Sequence, residues 1–389
     1  MNPRSGAGMA VTTVVLLLAL TGMAWWSERW VLTALPIGVL FGFFLQKGDL
    51  CGASAFSEVI LVRDWRKLWG LWVAIVVSMA GIAAGNLLGW IRLSPKPLLW
   101  ASAGLGGAVF GVGMVLAGGC VSGCLYKGAT GNLNSIAALL AMPVGIGMVE
   151  YGPLSGWLSR LAQLKIPAAD GGPVTLFSVT GLPFGTLALI VSGATLVAAL
   201  AQSRRSAGRT GPSWLRRSLR ERWRPWQAGI AIGLLALPAY LSSAASGRNY
   251  PLGVTQGVFQ ASLLLTDAPL QHVIAPAQQA APGGADVAMA PRKKVVWWLV
   301  LLAGGVMLGA HVAGRLSGEA RLLPKPPDQV LIAIAGGFLV GAGAAIAGGC
   351  VIGNIISGWA LMSVGMFLFG VVTMLANWVT TLLYLRGLS

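Results

Sequence analysis

The side chains best able to do chemistry in this chain are four thiols, Cys51, Cys120, Cys124 and Cys350. Two of them stand in nearly the same words, Ala117-Gly-Gly-Cys120-Val-Ser-Gly123 and Ala347-Gly-Gly-Cys350-Val-Ile-Gly353. In Gly118-Gly119 and Gly348-Gly349 the absent Cβ lets the chain change direction without a clash. The cysteine then opens the next short helix, where free backbone N–H groups and the positive dipole end favour an anion. The same field favours thiolate, whereas an apolar surround opposes it. A protonated thiol is a weak, polarisable donor, better matched to a soft sulfur anion than to a hard, strongly hydrated one. Against this stands simple packing, since a buried cysteine often acts as a small apolar side chain. Duplication of the turn, and a third thiol in Lys47-Gly-Asp-Leu-Cys51-Gly, favour function.

Cys120 and Cys124 are four residues apart and can share a helix face. A zinc site normally needs four nitrogen or sulfur ligands, and the two histidines, His272 and His311, lie elsewhere in the sequence. No metal and no cofactor is expected. The same pair could serve an integral-membrane sulfurtransferase or thiol redox enzyme, but no base or cofactor motif stands nearby. Other polar residues in apolar surroundings are Lys47, Asp49, Glu58, Lys127, Asn132, Asn134, Glu150, Arg248 and Asn377. Ionisable groups within a membrane are functional candidates by default. Lys127 either draws an anion inward or snorkels to the headgroups. Glu58 and Glu150 either carry a proton or pair with a base.

The elements that must position these groups are membrane helices. Apolar residues make up 56% of the 389 and charged residues 10%, and apolar runs near 20 residues recur; each can cross roughly 30 Å of hydrocarbon. About ten spans are expected, near 10–26, 31–46, 69–90, 100–118, 133–151, 175–201, 226–243, 296–315, 329–348 and 360–385. Four apolar pieces near 51–62, 120–128, 251–265 and 350–358 are too short to cross and read as re-entrant. The net charge of +16 falls mostly in loops beside spans, which excludes nucleic acid as its explanation and fits cytoplasmic loop bias plus attraction of an anion.

The basic stretch 203–225 is expected in the cytoplasm, which also puts both termini there. Arg292-Lys293-Lys294 falls outside and runs against that scheme. The two Pro-Lys-Pro copies, 95–97 and 324–326, are 229 residues apart and the Gly-Gly-Cys copies 230 apart. The match therefore spans whole helices and predicts two pseudo-symmetric halves, 30–202 and 226–389. An odd number of spans separates their starts, so the halves should be inverted, with the two cysteine turns approaching from opposite faces. Residues 1–29 read as an extra first span and 266–294 as a long outer loop. Counting from Gly38 and Gly233, Cys51 falls opposite Ser246; counting from Cys120 and Cys350, Cys124 falls opposite Asn354.

Leu45-Gln-Lys-Gly-Asp-Leu-Cys51-Gly-Ala-Ser-Ala-Phe and the two Gly-Gly-Cys turns resemble the YeeE/YedE sulfur-transport family. The resemblance runs over roughly 30–389. It implies an hourglass-shaped permease of the bacterial inner membrane that imports thiosulfate or a related sulfur anion. The resemblance further implies that the motif cysteines, which map to Cys51, Cys120 and Cys350, pass the anion along by S–H hydrogen bonds. Cys124 is not among them and stays a secondary candidate. Membrane lipid surrounds such a protein, and a soluble sulfur-carrier on the cytoplasmic side is a candidate partner.

Overall fold

The computed structural model describes residues 15–386 except 16, 20, 25, 169–170, 204–220, 267–269 and 275–292. Those residues form helices α1 (Ala34–Gly48), α2 (Gly52–Leu61), α3 (Arg66–Leu87), α4 (Trp100–Leu116), α5 (Val121–Ala129), α6 (Leu133–Glu150), α7 (Ser155–Gln163), α8 (Leu176–Thr180), α9 (Phe184–Ser203), α10 (Pro225–Ala245) and α11 (Thr255–Leu263). Strands β1 (Leu270–Val273) and β2 (Lys293–Val296) follow, then α12 (Trp297–Ser317), α13 (Pro327–Ile346), a π-helix (Val351–Ser357) and α14 (Val364–Arg386). Among the described residues, nine helical stretches are long and apolar enough to cross a membrane. The expected 10–26 span lies largely outside the described residues.

The four pieces too short to cross are α2, α5, α11 and the π-helix. Each follows a break that the sequence supplies locally. Asp49 caps α1 in the left-handed region at φ 46°, and Gly118 and Gly348 take φ 67° and 68° after α4 and α13. Two expectations need correction. The span expected at 175–201 starts only at Phe184, because Gly181 (φ 71°) and Pro183 end α8, whose Thr175–Ser178 capping box makes it a separate turn. The 266–294 stretch is not wholly loop, since β1 and β2 pair in parallel at its edges. Helix α7, with no buried residue, was not expected at all.

Packing joins early helices to late ones. Helix α1 packs on α12 as α10 packs on α3, and α13 packs on α6 as α14 packs on α4. Exchanging the two sequence copies turns each of these pairs into the other. Glycine permits the approach: a Cβ at Gly309 would fall 1.9 Å from the Val39 carbonyl oxygen, and one at Gly42 would fall 2.0 Å from that of Val306. Without a hydrophobic difference between helix and lipid, such close contact is what holds membrane helices together. The largest core includes all four cysteines, while a smaller one gathers Ile146, Val149, Phe259, Leu263 and Val295. Gly309→Leu should therefore destabilise the protein by roughly 1–3 kcal/mol or more, read as loss of thermal stability in detergent. Gly304→Leu, on an open face of the same helix with nothing within 4 Å, should leave it unchanged.

Candidate functional site

Cys51, Cys120 and Cys350 occupy one structural position three times. Each is the extended residue immediately before a short helix, at the N-cap of α2, α5 and the π-helix, and none makes a side-chain capping bond. A serine, threonine or aspartate there would accept from a first-turn N–H. A thiol leaves those donors free and adds a soft donor of its own.

The three N-termini converge. Cys51 Sγ lies 3.9 Å from Cys120 Sγ, and Cys120 Sγ lies 3.3 Å from Ser122 Oγ. Gly123 makes the sulfur contact possible, since a Cβ there would sit 2.4 Å from Cys51 Sγ. Val351, next to Cys350, packs onto Gly52, next to Cys51, so closely that a Cβ on Gly52 would meet it at 2.8 Å. All four cysteines are free thiols with 0% exposure. Gly118 and Gly348, only two residues before Cys120 and Cys350, are exposed. Exposure thus gives way to full burial within two residues at each turn.

A broken helix frees carbonyl groups, and both turns satisfy theirs in the same way. Lys127 Nζ donates to Gly118 O at 3.0 Å, and Cys124 Sγ to Gly119 O at 3.7 Å. On the second turn Lys96 Nζ donates to Gly348 O at 2.6 Å, and Asn354 Nδ2 to Gly349 O at 2.9 Å. Asn354 Oδ1 also accepts from Lys96 at 2.7 Å. Cys124 and Asn354, matched by the sequence count, thus brace equivalent carbonyls. Cys124 turns toward its own helix break rather than toward Cys120, whose sulfur neighbour is Cys51. The arrangement does not present Cys120 and Cys124 as a reactive pair.

The other polar candidates divide. Glu58 is brought to the thiol region as half of an ion cluster: Lys67 Nζ lies 2.6 Å from Glu58 Oε1 and 2.7 Å from Asp49 Oδ2, and bonds Ser54 Oγ at 3.3 Å. Tyr126 on α5 donates to Asp49 Oδ1 at 2.8 Å. The cluster therefore clamps α2 at both ends and ties it to α5, the two helices that carry the close sulfur pair. Glu150 lies elsewhere, at the smaller core, accepting from Gln256 of α11 at 2.5 Å. Lys47 bonds Ser317 Oγ at 2.7 Å on α12. Asn132 caps α6, and Asn377 accepts from Ser57 at 3.0 Å. Among the described residues no three His, Cys, Asp or Glu side chains are grouped to hold a metal ion.

One pairing expected from the repeat does not hold. Ser246 ends α10, whereas Cys51 begins α2; the residue that begins α11 is Val254. The connection after α10 is longer than the one after α1, so an ungapped count slips there. Four residues of the site were not singled out from sequence. Gly123 and Tyr126 flank Cys124 in the motif itself, and Lys96 carries the only side chain of Pro-Lys-Pro able to donate. Lys67, at the start of α3, stands in no motif that sets it apart.

A multi-pass helical protein in which broken helices aim free N-termini at one buried point has the build of a membrane transporter. The family model described as "Sulphur transport" matches residues 47–379. The chain belongs to that family, known also as YeeE/YedE. It is 32% identical over 89% of its length to the Thiosulfate transporter TsuA of Spirochaeta thermophila, covering 96% of that protein. It is 28% identical over 83% of its length to the Thiosulfate transporter TsuA of Escherichia coli K12, covering 86% of it. A shorter match, 30% identical over 30% of the chain, is to the Probable transporter YedE of the same bacterium. The role is transport, not enzymatic catalysis.

Removing Lys67 takes the ion-pair partner from Glu58 and leaves Asp49 with the Tyr126 hydrogen bond alone. Lys67→Met should cost roughly 1–3 kcal/mol of stability, and Glu58→Gln less, both read from thermal unfolding in detergent.

Proposed function

We propose that this chain is a bacterial inner-membrane permease that imports thiosulfate or a related sulfur-containing anion. The observation that carries the proposal is the convergence of three uncapped helix N-termini, each presenting a thiol in place of a capping oxygen. The N–H groups and dipole ends stabilise negative charge, and the thiols donate to the soft terminal sulfur. No covalent bond to the anion is needed, because an S–H donor can release it as readily as hold it. The names of the two long-matching relatives support thiosulfate as the first substrate to test.

In this reading the two halves are inverted, both termini and the basic 203–225 stretch face the cytoplasm, and the Cys350 turn faces outward. The anion meets Cys350 before Cys51 and Cys120, and Lys127 holds charge on the inner side. A dianion moving inward against the potential meets about 2.3 kcal/mol per charge per 100 mV, so about 4.6 kcal/mol in all. Rapid consumption of the anion, for instance by a soluble sulfur-carrier on the cytoplasmic side, or proton coupling through Glu58 or Glu150 would offset that.

Uptake of labelled thiosulfate into proteoliposomes tests the proposal. Cys51→Ala, Cys120→Ala and Cys350→Ala should each lower uptake by more than about tenfold, while Cys124→Ser, which keeps a donor for Gly119 O, should stay within about threefold of the unaltered protein. Full uptake by the Cys120→Ala/Cys350→Ala double variant would overturn the thiol path. If protons are coupled, an imposed pH gradient should drive uptake, and Glu58→Gln or Glu150→Gln should abolish that dependence.

A further inference from the structure

Among the described residues, two cations beside the Cys350 turn have no carboxylate to answer them. Lys96 Nζ lies 5.1 Å from the centre of the Tyr250 ring, and the Arg248 guanidinium carbon lies 5.4 Å from the same ring and 5.5 Å from that of Trp298. Arg248 Nη1 is held by Ser243 Oγ, Tyr250 O and Pro251 O at 3.2, 3.1 and 2.9 Å. Lys96 is held by Gly348 O and Asn354 Oδ1. Among the described residues neither cation forms an ion pair, whereas Lys67 and Arg222 are each matched by carboxylates.

Like charges half-buried around one aromatic ring repel, and the aromatic face and carbonyl dipoles answer them only in part. Burial and the Arg248 charge pull the Lys96 ammonium down to about 8, and burial pulls Arg248 down to about 10. The pair is fixed to the turn that bears Cys350. Tyr250 donates to Gly353 O at 2.7 Å, and Ser357 donates to Leu252 O at 2.8 Å, so the 248–254 segment rides on the π-helix. Gly348, whose carbonyl holds Lys96, is exposed, so an anion reaching the turn meets Lys96 before it meets the thiol.

We propose that Lys96 and Arg248 form a charge-reading site that favours dianions over monoanions and delivers them to Cys350, with Asn354 positioning the Lys96 ammonium. The proposal rests on the transport reading above and divides recognition in two. The cation pair reads charge, and the thiols read sulfur. A sulfate dianion should therefore occupy the cation pair without passing the thiols, and thiocyanate, a soft monoanion, should be a poor competitor.

The test is thiosulfate uptake by the full chain in proteoliposomes, with sulfate or thiocyanate as competitor. Sulfate should inhibit competitively and thiocyanate should not. Lys96→Gln and Arg248→Gln should raise the thiosulfate KM by more than about tenfold and remove sulfate inhibition, with a smaller change in maximal rate. Lys325→Gln, the repeat counterpart on an exposed loop, should change neither. The groups facing Lys96 are Arg248, Tyr250, Cys350 and Asn354, with Tyr240 and Arg92 bonded together just beyond. Lys96 is charged below about 8, so KM should rise as pH passes from 7 to 9 and should stay flat in Lys96→Arg.

If the unaltered protein imports no thiosulfate, the transport reading fails and this proposal fails with it. If import is normal but sulfate does not compete, or both Gln variants keep the original KM and sulfate inhibition, the cation site alone is overturned. The competition arm needs no variant, so a folding failure in either substitution leaves the test intact.

Discussion

A helix broken inside a bilayer exposes peptide carbonyls where no bulk water can bond them. Every notable feature of the site answers that constraint. Gly118 and Gly348 each hand a carbonyl to a lysine, and Gly119 and Gly349 each hand one to the residue four places beyond the cysteine. With the carbonyl side of each break satisfied from within, the N–H side can be left open. A cysteine at the N-cap does that, where an oxygen side chain would fill it. The binding capacity proposed for the site is the unfilled half of two, and with Cys51 three, helix breaks.

The rest of the fold holds the open ends together. Glycine at the α1–α12 and α3–α10 contacts lets whole helices meet at backbone distance, and Gly123 lets one thiol stand over another. The Lys67 cluster adds a polar clamp at the base of α2. These contacts join segments far apart in sequence, so the Cys51–Cys120 geometry depends on helices that carry no thiol.

What could be read from sequence was what is local. A Gly-Gly pair before a cysteine specifies a break and a restart over four residues, and it did so at both copies. The four short apolar pieces were legible from their length, as were the long spans within the described residues apart from the one shortened by Gly181 and Pro183. What could not be read depends on pairing across the halves. Lys96 reaches Gly348 from the opposite repeat, while its sequence twin Lys325 is exposed and the first turn draws its lysine from α5 instead. Ser246 was matched to Cys51 by a count that assumed equal connections. Glu58 and Glu150 looked alike as acidic residues in apolar surroundings, yet one joins the clamp beneath the thiols and the other bonds Gln256 by a separate core.

The step from exposed Gly118 or Gly348 to a fully buried thiol takes two residues. In the proposed reading the partition beneath each turn is therefore thin, and the thiols and apolar side chains that form it are fully buried. Protons and small ions leak through membrane proteins along continuous files of water, and a septum of thiols and apolar side chains interrupts such a file. If the proposed path runs through this septum, the resting protein would also serve as electrical insulation. A cell could keep many copies in its membrane, each ready for a scarce anion, without discharging the gradients that its other transporters use.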